Sequence, residues 1–189
     1  MNLQNLPDKI RKRVSGHLFE LAHLHSVNFK SAPIISGYWP RIINEGGTIG
    51  FGDRCIFWST RLRHCIIARP GSILQIGQYG FMNDGLHVYV ATTIRIGNFV
   101  KIGEMVYIYD TDVHSVAPDR PVKQAPVTIG NNVWIGARSI ILAGSHIGDH
   151  AVIAAGSVVN GMIPARSVAA GIPARVVKTF EAEDNWFRR

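Results

Sequence analysis

Ile129, Ile135, Ile141, Ile147, Ile153 and Val159 recur at a constant step of six residues. An amphipathic helix needs apolar positions at a period of 3.6 and a half-buried strand at a period of 2, so a strict period of six excludes both as simple readings. The unit that fits is a short strand followed by a turn, three such units making a coil of eighteen residues. The fifth place of each hexad holds a small or β-branched residue: Val133, Ser139, Ser145, Ala151 and Ser157. Glycine follows the isoleucine at Gly130, Gly136 and Gly148, where tight turning or close approach of neighbouring coils leaves no room for a side chain. The prediction is an all-β prism of stacked coils.

The chain of 189 residues suits one domain. Its 47% hydrophobic and 17% charged residues exclude disorder and a salt-laced helical array. Cys55 and Cys65 lie in no zinc-like spacing, and two thiols alone make no disulfide framework, so both read as reduced. Neither a signal-peptide core nor a bilayer-length apolar run is visible, and the expected residence is cytoplasmic. The net charge of +7 favours an anionic partner: nucleic acid, an acidic membrane surface or a phosphorylated small molecule. No nucleic-acid motif supports the first of these.

Ile10, Val14, Leu18, Leu21 and Leu24 predict an amphipathic helix over about residues 6–29, with Pro7 in its first turn. The expected division is a helical cap over 1–30, the prism over 31–178 and a tail over 179–189. The cap covers the edge of the first coil. Early coils read as imperfect, with phase marks at Ile49-Gly50 and Ile76-Gly77 and an irregular stretch between them. Ile96, Ile102 and Ile108 then keep the step of six. Ile129 stands twenty-one residues beyond Ile108 where unbroken winding needs six, so about fifteen residues are extruded as a loop within about 109–127. Its prolines and acids suit a surface excursion, and insertions in repeat proteins favour the binding face.

The hexads resemble those of the hexapeptide-repeat acyltransferases. That resemblance implies a left-handed parallel β-helix over about residues 45–178. The segment VTIGNNVWIG at 127–136 and the ending AGIPARVV at 170–177 are similar to the galactoside and maltose O-acetyltransferases and to those that modify surface polysaccharides. The resemblance further implies a homotrimer with sites between subunits. It also implies acetyl transfer from acetyl-CoA to a hydroxyl of a sugar or sugar-containing intermediate, with no metal required.

Within that resemblance His114, at the start of the extruded loop, takes the place of the catalytic base. The chemistry requires one, because a sugar hydroxyl is too weakly acidic to attack a thioester without losing its proton to a positioned group, and imidazole exchanges protons near neutral pH. Asn83 and Asp84 correspond to acceptor-binding positions. Trp134, Ala137 and Ala155 correspond to the CoA channel, with the Ala137 amide a candidate oxyanion donor, and Arg175 and Lys178 correspond to residues near the CoA phosphates. Asp110 and Asp112 flank His114, where either orients the imidazole or both form ordinary Asx turns.

Two departures from the galactoside pattern matter. Ser115 follows His114 where proline is usual, as in the polysaccharide-modifying members, and Asn160-Gly161 replaces a Thr-Lys pair near the CoA adenosine. Three alternatives remain: N-acetylation of an aminosugar or other small amine, a γ-carbonic-anhydrase-like metalloenzyme, and a non-catalytic scaffold. The second would draw ligands from His64, His87 and His114, which lack its spacing. His17, His23, His25, His146 and His150 read as surface or packing residues.

Overall fold

The computed structural model describes residues 6–188; the first five residues of the expected cap and the last of the expected tail lie outside it. Helix α1 runs Asp8–His23, shorter than the apolar spacing predicts. Pro7 stands at its N-cap and does not enter the first turn. The helix stops because residues just beyond it pair as a strand: Asn28 and Phe29 lie in parallel register with Gly50 and Phe51.

From there the chain winds around three faces. The first carries Thr48–Phe51, Ile73–Ile76, Thr93–Ile96, Val127–Ile129, His146–Ile147 and Met162–Ile163. The second carries Ile34–Gly37, Ile56–Ser59, Phe81–Met82, Lys101–Ile102, Trp134–Ile135 and Val152–Ile153. The third carries Arg41–Asn44, Cys65–Ala68, His87–Val90, Tyr107–Tyr109, Ile140–Ile141 and Val158–Val159. Neighbouring coils pair in parallel, and consecutive strands go to consecutive faces. The solenoid makes about six turns.

The register explains the hexad. Ile129 pairs with Ile147, Ile135 with Ile153 and Ile141 with Val159, so each isoleucine stacks on the one three hexads away. All six of these residues are buried, each contributing about 1.5–3 kcal/mol of apolar burial. The fifth-place residues are buried too. Ser139 and Ser145 donate their hydroxyls to the Ala154 and Val159 carbonyls, each at 3.1 Å.

The early coils are complete, contrary to the irregular stretch expected between residues 50 and 76. Their phase differs: Ile76 pairs with Phe51, and Ile49 with Leu74, so the mark equivalent to Ile76-Gly77 is Phe51-Gly52. Phenylalanine fills this end because the prism is closed there by α1. Phe19 is fully buried and packs against Trp39 and Phe57 at centroid distances of 5.6 and 6.5 Å. Phe51 meets Phe57 edge-on at 5.3 Å, and Trp39 Nε1 donates to Ser15 Oγ at 2.8 Å.

At the other end Ser167–Gly171 continues the second face, and Ala174–Thr179 returns antiparallel to it. The tail then folds back on its own chain. Phe187 packs on Phe99 at 4.3 Å, Trp186 stacks on His150, and Asn132 Nδ2 donates to the Trp186 carbonyl at 2.8 Å.

The corner between the first and second faces repeats one conformation. Arg54, Tyr79, Phe99, Asn132, His150 and Arg166 all have φ between 52° and 63°. Such backbone costs a non-glycine residue roughly 1–2 kcal/mol. Hydrogen bonds between coils hold it there: Tyr79 N donates to Asp53 O, Phe99 N to Gln78 O and Asn132 N to Asn98 O, each at 2.8 Å. Beside them Asn98, Asn131 and Asp149 accept from the amides of Gln78, Asn98 and Asn131 respectively.

Candidate active site

Five of the residues singled out from the sequence gather along two neighbouring strips of the prism. Asn83 and Asp84 follow Phe81–Met82, Ala137 follows Trp134–Ile135, and Ala155 follows Val152–Ile153. All four therefore lie on the corner between the second and third faces. The backbone there is closely stacked. A Cβ on Gly103 would stand 2.6 Å from the Ala137 amide nitrogen, and one on Gly136 would stand 2.5 Å from that of Ala155, below any real Cβ contact. The glycines of these hexads thus serve close approach between coils and not a left-handed turn. Among the described residues the Ala137 amide donates to no backbone or side-chain acceptor, which leaves a free N–H on this edge.

Trp134 projects from the adjoining second face and is 49% exposed. One register row runs from Trp134 through Val152 and Val168 to Lys178, about 14 Å across three strand spacings. Arg175 pairs with Ala170 in the same terminal hairpin and is exposed. An indole at one end and two cations at the other bound an open strip along this face.

Asp84 departs from the expectation. It is 2% exposed, and its Oδ1 accepts from the amides of Arg61 and Leu62 at 2.9 and 3.0 Å. Burial pushes its carboxyl up, but those two amides and the Arg61 guanidinium outweigh it and hold the group below the usual carboxylate range. Asp84 is thus occupied in fixing the 60–62 turn. Asn83 is freer: its Oδ1 accepts from the Asp84 amide at 2.9 Å, and its Nδ2 has no partner among the described residues.

His114 stands on a different corner. The excursion between Tyr107–Tyr109 and Val127–Ile129 leaves where the third face meets the first, and His114 is exposed within it. A single chain therefore does not bring His114 to the edge that holds Asn83, Ala137 and Ala155. The base of the loop is firmly tied. Asp110 is fully buried; its carboxylate accepts from the Ala91 and Thr92 amides at 2.7 Å each and from Thr92 Oγ1 at 2.8 Å. Asp110 consequently does not orient His114, nor is it an ordinary loop acid: it anchors the loop to the coil before it. Across the loop neck Thr111 bridges Gln124, and Ala125 N donates to Asp110 O at 3.0 Å. Asp112 is exposed, and its carbonyl accepts the His114 amide at 2.7 Å.

Sequence reasoning missed the third face. Its outward positions are Arg41, Ile43, Cys65, Ile67, His87, Tyr89, Tyr107, Tyr109, Ile140 and Val158, while the outward side of the first face mixes Gln75, Arg95, Thr128 and His146 with Ile73 and Met162. His87 stacks on Tyr107 and meets Tyr109 Oη through Nδ1 at 3.1 Å. Burial lowers the His87 imidazole and raises the Tyr109 phenol. The available signal was the pairs Cys65/Ile67, His87/Tyr89 and Tyr107/Tyr109, two residues apart on successive strands. Among the described residues no group of three His, Cys, Asp or Glu side chains is placed to hold a metal ion, and no helix is long and apolar enough to cross a membrane.

The chain is thus a three-faced parallel β-helix of hexads with a histidine-bearing loop between Tyr107–Tyr109 and Val127–Ile129. The family model for bacterial transferase hexapeptide repeats (six repeats) matches residues 126–161. The galactoside O-acetyltransferase of Escherichia coli K12 is 38% identical over 120 residues, 62% of this chain and 59% of that enzyme. The putative lipopolysaccharide biosynthesis O-acetyl transferase WbbJ of the same organism is 29% identical over 157 residues, 77% of this chain and 79% of the relative. A solved galactoside acetyltransferase in complex with coenzyme A superposes with a TM-score of 0.57 at 25% identity, over 98% of this chain and 92% of that one. The chain is similar to the hexapeptide-repeat transferases over these stretches. Its match spans about three fifths of the first of these relatives.

Proposed function

We propose that the protein is an O-acetyltransferase that moves acetyl from acetyl-CoA to a hydroxyl of a sugar or sugar-containing acceptor, working as a homotrimer. The observation that carries this reading is the placement of the candidate residues on two different corners that share the third face, whose outward side is largely apolar and aromatic. If three copies stand around a threefold axis with their third faces inward, the first/third corner of one copy meets the second/third corner of the next. The loop that bears His114 then reaches the neighbouring copy's edge of Asn83, Ala137 and Ala155.

On this reading the pantetheine arm lies along the stacked backbone of that edge, with Trp134 beside it and Arg175 and Lys178 towards the phosphates. Asn83 Nδ2 orients the acceptor. His114 takes the proton from the acceptor hydroxyl as the oxygen attacks the thioester carbonyl carbon. The Ala137 N–H meets the charge that develops on the carbonyl oxygen. The C–S bond then breaks, and the imidazolium returns the proton to the departing CoA thiolate. No covalent enzyme intermediate is required.

His114→Ala is expected to lower acetyl transfer about a hundredfold or more while CoA binding, followed by calorimetry, stays within a factor of two or so of the wild type. Undiminished thiol release by that variant with a sugar acceptor would remove His114 from the mechanism. Faster turnover on an aminosugar than on its hydroxyl counterpart would replace O-transfer with N-transfer.

A further inference from the structure

The corner between the first and second faces is the one that the arrangement just proposed turns away from the axis. It carries a feature that acetyl transfer does not use. Tyr79 and Phe99 lie stacked on successive coils with centroids 4.8 Å apart and planes within 6° of parallel. Both hold the left-handed backbone that glycine or asparagine adopts with less strain. They share it with the other residues of this corner, and Phe187 covers the far side of the pair by packing on Phe99 at 4.3 Å.

Around this platform is a cavity of about 380 Å³ lined by Arg54, Tyr79, Phe99, Lys101 and Arg188 among others. Arg54 lies over the Tyr79 ring at 5.7 Å. A second cavity of about 390 Å³, lined by Arg13, His17 and Arg54, continues from it towards α1. Arg54 belongs to both, so the two stand in series along the corner. No Asp or Glu lines either cavity. Among the described residues Arg13, Arg54 and Lys101 form no ion pair, while the Arg188 guanidinium donates to the Asn132 and His150 carbonyls.

We propose that this corner is a docking site for an anionic polysaccharide, a chain of rings bearing carboxylate or phosphate groups, held outside the active site. Guanidinium groups bind such oxygens in a fixed fork, and Tyr79, 40% exposed beside them, offers apolar surface to a sugar ring. Two cavities joined by one arginine suit an extended repeating ligand better than a single small anion. A polymer held at several points gains effective concentration for each further contact. The proposal rests on the reading of the protein as a saccharide acetyltransferase and extends it from the reacting hydroxyl to the polymer that carries it.

The test is direct binding by calorimetry with the full chain. The probes are oligoguluronates (dimer, hexamer and decamer), a neutral maltooligosaccharide of decamer length and a thymidine decanucleotide. The decamer is expected to bind at least about tenfold tighter than the dimer, as multivalent contact requires, with the neutral sugar not detected and binding weakened by salt. Arg54→Asn, which keeps a residue tolerant of this backbone, and Arg13→Gln, on the exposed side of α1, are each expected to weaken decamer binding by about fivefold or more through the loss of one charged contact. CoA binding should stay the same in both. Equal affinity for the neutral sugar, a decamer no tighter than the dimer, or unchanged binding by Arg13→Gln would overturn the proposal, and tighter binding of the decanucleotide would replace it with a nucleic-acid site. Because none of these readouts involves turnover, a protein that binds the polymer but transfers no acetyl group refutes the enzymatic reading alone.

Discussion

His64 is fully buried against Phe57, whose ring centre lies 5.6 Å away. Its Nδ1 accepts from the Leu86 amide at 3.3 Å, and its Nε2 has no partner among the described residues. Burial penalises the imidazolium and pushes the group down from 6.5 to about 4, although the Asp84 carboxylate pulls the other way. Between those two pH values the unfolded chain carries a proton on His64 and the folded chain does not. Unfolding therefore takes up a proton, and folding stability falls as pH drops below 6.5, levelling off beneath about 4. Each pH unit of difference is worth about 1.4 kcal/mol, so the whole excursion amounts to about 3 kcal/mol. His64→Leu removes the titration and keeps an apolar side chain in the site. Its cost at neutral pH is expected to be about 1 kcal/mol, from the Leu86 amide left without its acceptor. Urea unfolding at fixed protein concentration, compared between wild type and variant over pH 7.5 to 4, isolates the His64 contribution from the other carboxylates and histidines. The variant should close the stability gap and overtake the wild type as acid is added. Parallel loss of stability in both proteins across that range would show that His64 is not held neutral by its surroundings.

Two further outcomes follow from the site's supports. Asp110→Ala strips the acceptor from two backbone amides and a hydroxyl at the loop neck; it should cost about 2–4 kcal/mol in chemical denaturation and make the loop susceptible to limited proteolysis, whereas a loss below about 1 kcal/mol would mean that the loop is anchored elsewhere. Gly136→Ala places a methyl 2.5 Å from the Ala155 nitrogen and should destabilise the protein by about 1–3 kcal/mol through overpacking. It should also abolish the rise in melting temperature expected when CoA is added to the wild type, and a CoA response equal to the wild type's would move the donor away from this edge.

The regular part of the fold is legible because one hexad equals one face: Ile129 to Val159 can be counted without knowing where the corners are. The loop was found by the same counting, since the excess between Ile108 and Ile129 has to go somewhere. The first coils hide the rule because Phe51 stands where isoleucine stands later, a substitution imposed by the aromatic packing under α1. The first/second corner is hidden for a related reason. Arg54, Tyr79 and Phe99 adopt the turn conformation that glycine or asparagine would have announced. The acids were the hardest to read, because composition does not distinguish a carboxylate that faces a ligand from one that faces backbone amides. Asp84 and Asp110 both do the latter, and only the coil-to-coil register reveals it. The placement of His114 opposite the Asn83 edge was likewise invisible, since the sequence names corners only once the faces have been assigned.

The strand hydrogen bonds in this solenoid run between coils and not along the chain. Ile94 pairs with Val127 across the whole excursion as faithfully as Thr128 pairs with His146 over a single regular turn. The strand after the loop meets the same partner positions whatever length of chain intervenes, provided that the neck at Asp110 is closed. A segment of different length and composition can thus be grafted between Thr111 and Gln124 without disturbing the neck or the edge that holds Ala137 and Ala155. On the proposed reading the loop that bears His114 and the edge that holds Asn83, Ala137 and Ala155 are separable pieces, so that loops keeping a histidine at this place can be exchanged without rebuilding the coils beneath.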